Sequence, residues 1–399
     1  DKFRDKWRQQ LEQEHHKDAN ALFLAKVHGR HPVVLIIDHY VPMHDRDAGS
    51  RSTRKYVELL VQDGIRVIFL GDNFYPHQPY TEELQRLGVE VLYGEYYKDN
   101  WEQWLKQNLA YIDSVYIHRP HIADKYLDRI RELRRDARIV YFGHDLHFLR
   151  VQREAEVSDD AALTQEAEDW QEIEFRIMRA ADLSLFPAEY EADKVREIDP
   201  GISVDHIPLY WFDESEISPP LRPVYGQNIL FVGGFGHPPN RDGLMWFYQS
   251  IWPLILQQNP DTKLTIIGSK CPQSVKQLQN ANIQVLGEVS DAVLEDAYRN
   301  TRLAIVPLRY GAGIKGKVLE AMSKGVPVCT TPVGSEGLPE DDREYLLSTD
   351  DERQFADNVL QLLGDSSKAN EIRVNALDVL KKHFSRDTAR SLVKHLLAG

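Results

Sequence analysis

Short runs of consecutive apolar residues alternate along this chain with longer stretches whose apolar residues recur every three or four positions. The first run is "PVVLIID" (32–38), the pattern of a strand buried on both faces. "STRKYVELLVQDG" (52–64) follows with helical spacing and stops at Gly64. Further strands are predicted at 65–71, 89–94, 114–119 and 137–145. Between them lie the helical patterns "YTEELQRLG", "NWEQWLKQNLAYI" and "ADKYLDRIRELRRD". A longer helix is predicted over 161–181, a strand over 182–187, then a helix in "AEYEADKVREI". "VDHIPLY" (204–210) closes this half. Strands alternating with helices at such spacing predict a parallel, doubly wound sheet.

Residues 211–226, "WFDESEISPPLRPVYG", are rich in prolines and acids without periodicity and read as a linker. The rhythm then restarts. Strands are predicted at 227–234, 262–269, 282–289, 301–308 and 326–331. "RDGLMWFYQSIWPLILQQ", "SDAVLEDAYRN" and "GKVLEAMSKG" read as helices, and the tail 351–398 is helical. The expected division is a charged helical extension (1–31), a first lobe (32–210), the linker (211–226), a second lobe (227–380) and a C-terminal helix (381–399). A return of that last helix to the first lobe stays open. The fold class is α/β, with two doubly wound, Rossmann-like lobes facing a cleft. In such sheets ligands bind outside the carboxyl ends of the strands, so the chemistry belongs on strand-to-helix loops.

Bulk properties narrow the partners. At 399 residues the chain is too long for one ordinary core. A net charge of −14 argues against general nucleic-acid binding but permits a local anion site. Cys271 and Cys329 form no disulfide framework or zinc pattern, which suits a reducing, cytoplasmic setting. No apolar run approaches a membrane span, and no signal peptide is visible. The start at Asp1, inside a polar helical pattern, suits a piece of a longer protein.

The most informative stretch is "PLRYGAGIKGKVLEAMSKGVPVCTTPVGSEGL" (307–338). Gly311, Gly313 and Gly316 lie between a strand and a helix, beside Lys315 and Lys317. Unpaired N–H groups at a helix start attract anions, glycine permits close backbone approach, and the lysines and Arg309 add charge. Neither standard phosphate-loop pattern is present. Glu320, flanked by Val318, Leu319, Ala321 and Met322, is either a ligand group or a solvated edge residue.

Taken in order, the glycine loop, E-A-M, G-x-P-V and E-G-L resemble the C-terminal signature of GT-B-fold retaining glycosyltransferases of family 4 (glycosyl transferases group 1). "ILFVGGFGHPPNRDGLMWF" (229–247) and "YFGHD" support the resemblance, which covers roughly 32–398. It implies an acceptor-side first lobe and a second lobe binding a nucleotide diphosphate sugar. Glu320 matches the second glutamate of the family's E-x7-E element, which holds the ribose hydroxyls. The first falls at Ala312, a departure read as altered sugar recognition. Gly313, Ile314 and Lys315 would offer backbone N–H groups to sugar or phosphate. Gly233 and Gly234 end a strand at a second anion element; Gly234 stands where the family usually has arginine. Lys315 and Arg241 would carry diphosphate charge, with Arg309 and Lys317 in reserve. Gly49 matches the first-lobe glycine loop. His144 matches a histidine that contacts the donor sugar, making His144, Lys315 and Arg241 the expected catalytic groups. His118 and Asp145 are expected acceptor or sugar contacts. Asp45–Arg46–Asp47 imitates a metal-binding D-x-D, but no metal is expected, and no cofactor beyond the donor substrate.

The function implied is sugar transfer to a glycan or lipid-linked glycan acceptor, in bacterial surface polysaccharide synthesis, at the cytoplasmic or inner membrane face. A nucleotide-sugar epimerase and a non-catalytic sugar-nucleotide or glycan binding module remain alternatives. The basic stretch "DRIRELRRDAR" (128–138) leaves open a peripheral membrane contact.

Overall fold

The computed structural model describes residue 6 and residues 31–158, 160–217 and 226–398. The expected helix over 1–30 therefore lies outside the described residues, apart from residue 6, as does half of the expected linker, residues 218–225. The chain forms two compact units. The first comprises residues 1–144, 172–186 and 192–206, and the second 145–171, 187–191 and 207–399. A boundary at 210 would place 145–171 and 187–191 in the first unit, whereas their packing groups them with the second.

The first unit holds a seven-stranded, all-parallel sheet in the order β3-β2-β1-β4-β5-β6-β7. Its strands are β1 (Val33–Asp38), β2 (Arg66–Gly71), β3 (Glu90–Leu92), β4 (Ser114–His118), β5 (Arg138–Phe142), β6 (Leu183–Phe186) and β7 (Val204–His206). Every residue of β1 is buried, as expected of a central strand covered by helices on both faces. The strand order reverses direction between β1 and β4, which pair in register from Val34↔Ser114 to Ile37↔Ile117. That switch point brings together the chain leaving Asp38 and the chain leaving His118.

The second unit repeats the plan with six parallel strands, β10-β9-β8-β11-β12-β13. These are β8 (Asn228–Val232), β9 (Lys263–Ile267), β10 (Ile283–Gly287), β11 (Leu303–Val306), β12 (Val328–Thr330) and β13 (Leu347–Ser348). Alternate residues of β8 serve opposite faces of the sheet. Ile229 and Phe231 join one apolar cluster with Leu264, Ile266 and Phe355. Leu230 joins the other, with Val306, Leu319 and Val328. The two-residue period of a strand is thus enough to build two cores.

Two expectations change. The helix expected around 241–258 is interrupted: helices Pro238–Trp246 and Trp252–Gln258 flank a π-helical turn, Phe247–Ile251. Pro253 lacks an N–H, which suits a break there. Trp211 and Phe212, placed in a linker by the surrounding acids and prolines, are buried at 2% and 1% exposure. The backbone of Phe212 bridges Ser385, ahead of the last helix, Arg386–Ala398, which belongs to the second unit. Three arginines of the basic stretch 128–138 have partners within the first unit, while Arg135 is exposed. Arg129 pairs with Glu102 and Glu132, Arg131 with Asp182, and Arg134 donates to the carbonyls of Leu109 and Ile112. Among the described residues no helix is long and apolar enough to cross a membrane.

Candidate active site

In the first unit the carboxyl ends of β1, β4 and β5 assemble a buried polar cluster. Asp38 Oδ1 accepts from Arg119 Nε at 2.9 Å and from the backbone N–H of His39 at 2.7 Å. Asp38 Oδ2 accepts the Thr53 hydroxyl at 3.2 Å, and His118 Nδ1 lies 3.9 Å from it. His118 Nδ1 and His144 Nε2 are 3.0 Å apart, sharing one proton. Burial works against the Asp38 charge, but Arg119 and the imidazoles outweigh it and hold the carboxyl well below its ordinary range. Burial pushes His118 down to about 4 despite Asp38, and takes His144 well below its ordinary value, helped by Arg119. Both imidazoles are therefore neutral near pH 7.

Arg119 and His144 have φ of 64° and 66°, a left-handed conformation that costs a non-glycine residue about 1–3 kcal/mol and clusters at functional sites. Gly49 lies in the first turn of the helix Ala48–Gln62. A methyl there would stand 2.8 Å from Arg119 Nη2 and 3.2 Å from His144 Nδ1. Asp38, His118 and His144 present possible metal-ligand atoms within 4.8 Å of one another. The Arg119 guanidinium and the imidazole pair already engage those lone pairs, so the arrangement suits a hydrogen-bond relay better than a dication. The D-x-D carboxylates have structural roles. Asp47 caps the helix 48–62 by accepting from the Ser50 N–H, and Asp45 accepts from the Tyr80 hydroxyl at 2.6 Å.

In the second unit the glycine loop leaves β11 and enters the helix Gly316–Ser323, with Lys315 as its N-cap residue. Gly311 and Gly313 have φ of 143° and 70°. Lys315 is 8% exposed; its Nζ donates to the Gly313 carbonyl and lies 3.7 Å from Glu336. Burial lowers its ammonium pKa, and Glu336 and Glu191 pull it back up. Lys317 donates to Asn240 Oδ1, and Asn240 in turn donates to the Gly234 carbonyl at 2.7 Å. Burial, then Lys315, pushes the Lys317 ammonium down to about 7. Burial, then Lys317 and Arg150, pushes His237 down to about 4, with Asp145 acting the other way. Gly233 follows β8 and lies against Asn240, and Gly234 faces Ser269.

Of the other expected residues, Arg241 is exposed in the first turn of Pro238–Trp246 and forms no ion pair among the described residues. Arg309 is tied to Asp242. Asp145 accepts from Arg150 at 3.0 Å and faces His147 at 3.3 Å, so its carboxylate is already engaged. Ile314 and Glu320 are half-buried. The structure thus groups Gly49, His118 and His144 in the first unit, and Gly233, Gly234, Gly313, Ile314, Lys315 and Lys317 in the second.

Sequence reasoning missed the residues that brace these groups. Asp38 was visible as an acid closing an otherwise apolar strand. Arg119, Arg153 and Glu191 gave no local signal. Arg153 donates to the Gly311 carbonyl at 2.7 Å. Glu191 accepts from the Leu146 N–H at 3.0 Å, and burial with Asp145 nearby raises its carboxyl well above the ordinary range.

Residues 226–365 match the family model described as glycosyl transferases group 1. The matched residues contain β8–β13 and the glycine loop. Over 214 residues, 51% of this chain, the protein is 30% identical to a Klebsiella pneumoniae protein described as an uncharacterized 44.6 kDa protein in cps region. The match spans about half of that relative, 53%. Among solved structures, sucrose-phosphate synthase from Thermosynechococcus elongatus aligns with a TM-score of 0.69 and 17% identity, over 92% of this chain and 98% of that one. Anabaena HepE, solved in complex with UDP and glucose, aligns with a TM-score of 0.64 and 15% identity, over 92% and 100%. At these identities the likeness establishes the fold, the two-lobe α/β GT-B architecture.

Proposed function

We propose that the protein is a retaining, metal-independent glycosyltransferase. It moves a sugar from a nucleotide diphosphate sugar to a glycan or lipid-linked glycan in surface polysaccharide synthesis. The observation that carries this reading is the buried Lys315 and the half-buried Lys317 at the start of helix 316–323, within the residues that match the group 1 family model. As the C1–O bond breaks, negative charge grows on the departing diphosphate. Two ammonium groups and a helix N-terminus, fixed beforehand, stabilise that charge without reorganisation. Arg241, uncommitted and exposed, adds a third cation. Glu320 accepts from the ribose hydroxyls, and the N–H groups of Gly313, Ile314 and Lys315 meet phosphate or sugar. The acceptor oxygen bonds to C1 on the face that the diphosphate leaves and passes its proton to the departing oxygen, which retains configuration. His144 holds a sugar oxygen, with Gly49, His118 and Asp145 around the reacting groups.

The relative from a cps region supports polysaccharide synthesis as the setting, and the UDP complex of Anabaena HepE supports UDP-sugars as the first donors to try. The test incubates the protein with a panel of nucleotide sugars and glycan acceptors, with and without a chelator. Product is analysed for anomeric configuration. Transfer with retention that survives the chelator is expected. Donor binding without transfer to any acceptor would favour a binding module instead, a reading that Ala312 motivates. Epimerisation of donor alone would favour an epimerase.

A further inference from the structure

Two polar atoms in the first unit, His144 Nδ1 and Arg119 Nη2, are buried and have no hydrogen-bond partner among the described residues. Both approach the same side of the Gly49 Cα, where a methyl would meet them at 3.2 and 2.8 Å and the Asp47 Oδ1 at 3.3 Å. A buried polar group without a partner costs about 1–3 kcal/mol, so two converging on one spot need a reason.

The protons can be traced from Asp38 outward. The Thr53 hydroxyl donates to Asp38 Oδ2, which leaves the Thr53 oxygen free to accept. His118 Nδ1 lies 3.4 Å from that oxygen and 3.9 Å from the carboxylate. Both neighbours favour a proton on His118 Nδ1. That proton also points at His144 Nε2, 3.0 Å away, which must then accept. A neutral imidazole that accepts at Nε2 carries its proton on Nδ1. The unpartnered His144 atom is therefore a donor, like Arg119 Nη2 beside it. The left-handed backbone at both residues holds these side chains in place.

We propose that Asp38, Thr53 and His118 are positioning residues that fix His144 as the Nδ1–H tautomer. His144 and Arg119 then form a two-donor notch beside Gly49 that takes one acceptor oxygen of a substrate. Only the identity of that substrate rests on the glycosyltransferase reading; the tautomer does not.

The test is nitrogen-15 NMR of histidine-labelled protein near pH 8, with the His144 signals identified by their loss in His144→Gln. A protonated Nδ1 and a bare Nε2 on His144 are expected in the wild type. In His118→Phe and Thr53→Val the signals should move toward the Nε2–H form. A wild-type His144 protonated on Nε2 overturns the proposal without any variant needing to fold. Activity supplies the second readout. His144→Asn keeps an N–H donor near the Nδ1 position, whereas His144→Asp offers only acceptors. At least about tenfold higher turnover for the Asn variant is expected. Equal turnover overturns the donor assignment. The expected tautomer together with normal turnover in His144→Ala would sink the catalytic reading of His144 and leave the relay standing.

Discussion

Arg153 grips Glu336 with both arms of its guanidinium, at 2.7 and 2.6 Å, while its Nη1 also holds the Gly311 carbonyl at 2.7 Å. The same Glu336 faces Lys315. A single arginine outside the glycine loop thus supports the loop's first residue and, through Glu336, its central cation. Removing it leaves a carboxylate and a carbonyl short of partners. Arg153→Met should cost about 1–3 kcal/mol of stability and lower turnover as well. A denaturant midpoint and a turnover number both equal to wild type would contradict this.

Lys315→Ala should lower turnover at least about tenfold with the fold kept, since its ammonium faces the position assigned to the leaving group. Near-normal turnover in a variant whose circular dichroism matches wild type would remove Lys315 from the mechanism.

Arg241 offers the contrasting case. Exposed and unpaired, it should tolerate Arg241→Ala within about 0.5 kcal/mol of wild-type stability. Its loss should still weaken nucleotide-sugar binding, read by calorimetry. Unchanged affinity would assign the residue to the solvated surface.

Lys317 gives a pH signature. Its folded-state pKa of about 7 lies below the ordinary 10.5, so between these values the unfolded chain binds more protons than the folded one. Its contribution to stability therefore rises with pH across that window and is lost as pH falls through 7. Donor affinity should run the other way, weakening above pH 7 as the ammonium discharges. Lys317→Met should flatten both trends relative to wild type. Denaturation and donor titrations at pH 6 and pH 9 would check this, and parallel curves for the two proteins would refute it.

Gly268 follows β9, and a methyl on it would stand 2.0 Å from the Gly233 carbonyl oxygen, a backbone atom with little freedom to yield. Gly268→Ala should cost about 1–3 kcal/mol and displace the Gly233–Gly234 loop, weakening donor binding. A variant as stable and as tight-binding as wild type would show that the loop has room to shift.

The strand and helix rhythm was legible because a buried parallel strand such as "VVLIID" has few other readings, and β1 proved buried at every position. The glycine loop was legible because Gly311, Gly313 and Lys315 are neighbours in sequence. The bracing residues were not. Arg153 and Glu336 lie 183 positions apart, and Arg119 and Asp38 lie 81 apart, so no local pattern links them. Trp211 and Phe212 were misread for the opposite reason. The acids and prolines after them dominate local composition, while Phe212 is buried in a cluster with Leu380 and Phe384 far along the chain.

The division of the chain between its two units has a consequence for biosynthesis. The polypeptide changes unit at 144/145, 171/172, 186/187, 191/192 and 206/207, so the second unit owns two segments that leave the ribosome long before the rest of it. Arg153 and Glu191 emerge early, yet the loop they brace, residues 311–315, and Glu336 come more than a hundred residues later. At about 5–20 residues per second, those segments wait on the order of 10 s for their partners, with buried groups such as Glu191 exposed meanwhile. A chaperone that binds the nascent chain would find its window there. A chimera cut at residue 210 would strand the same two segments from the loop that completes them.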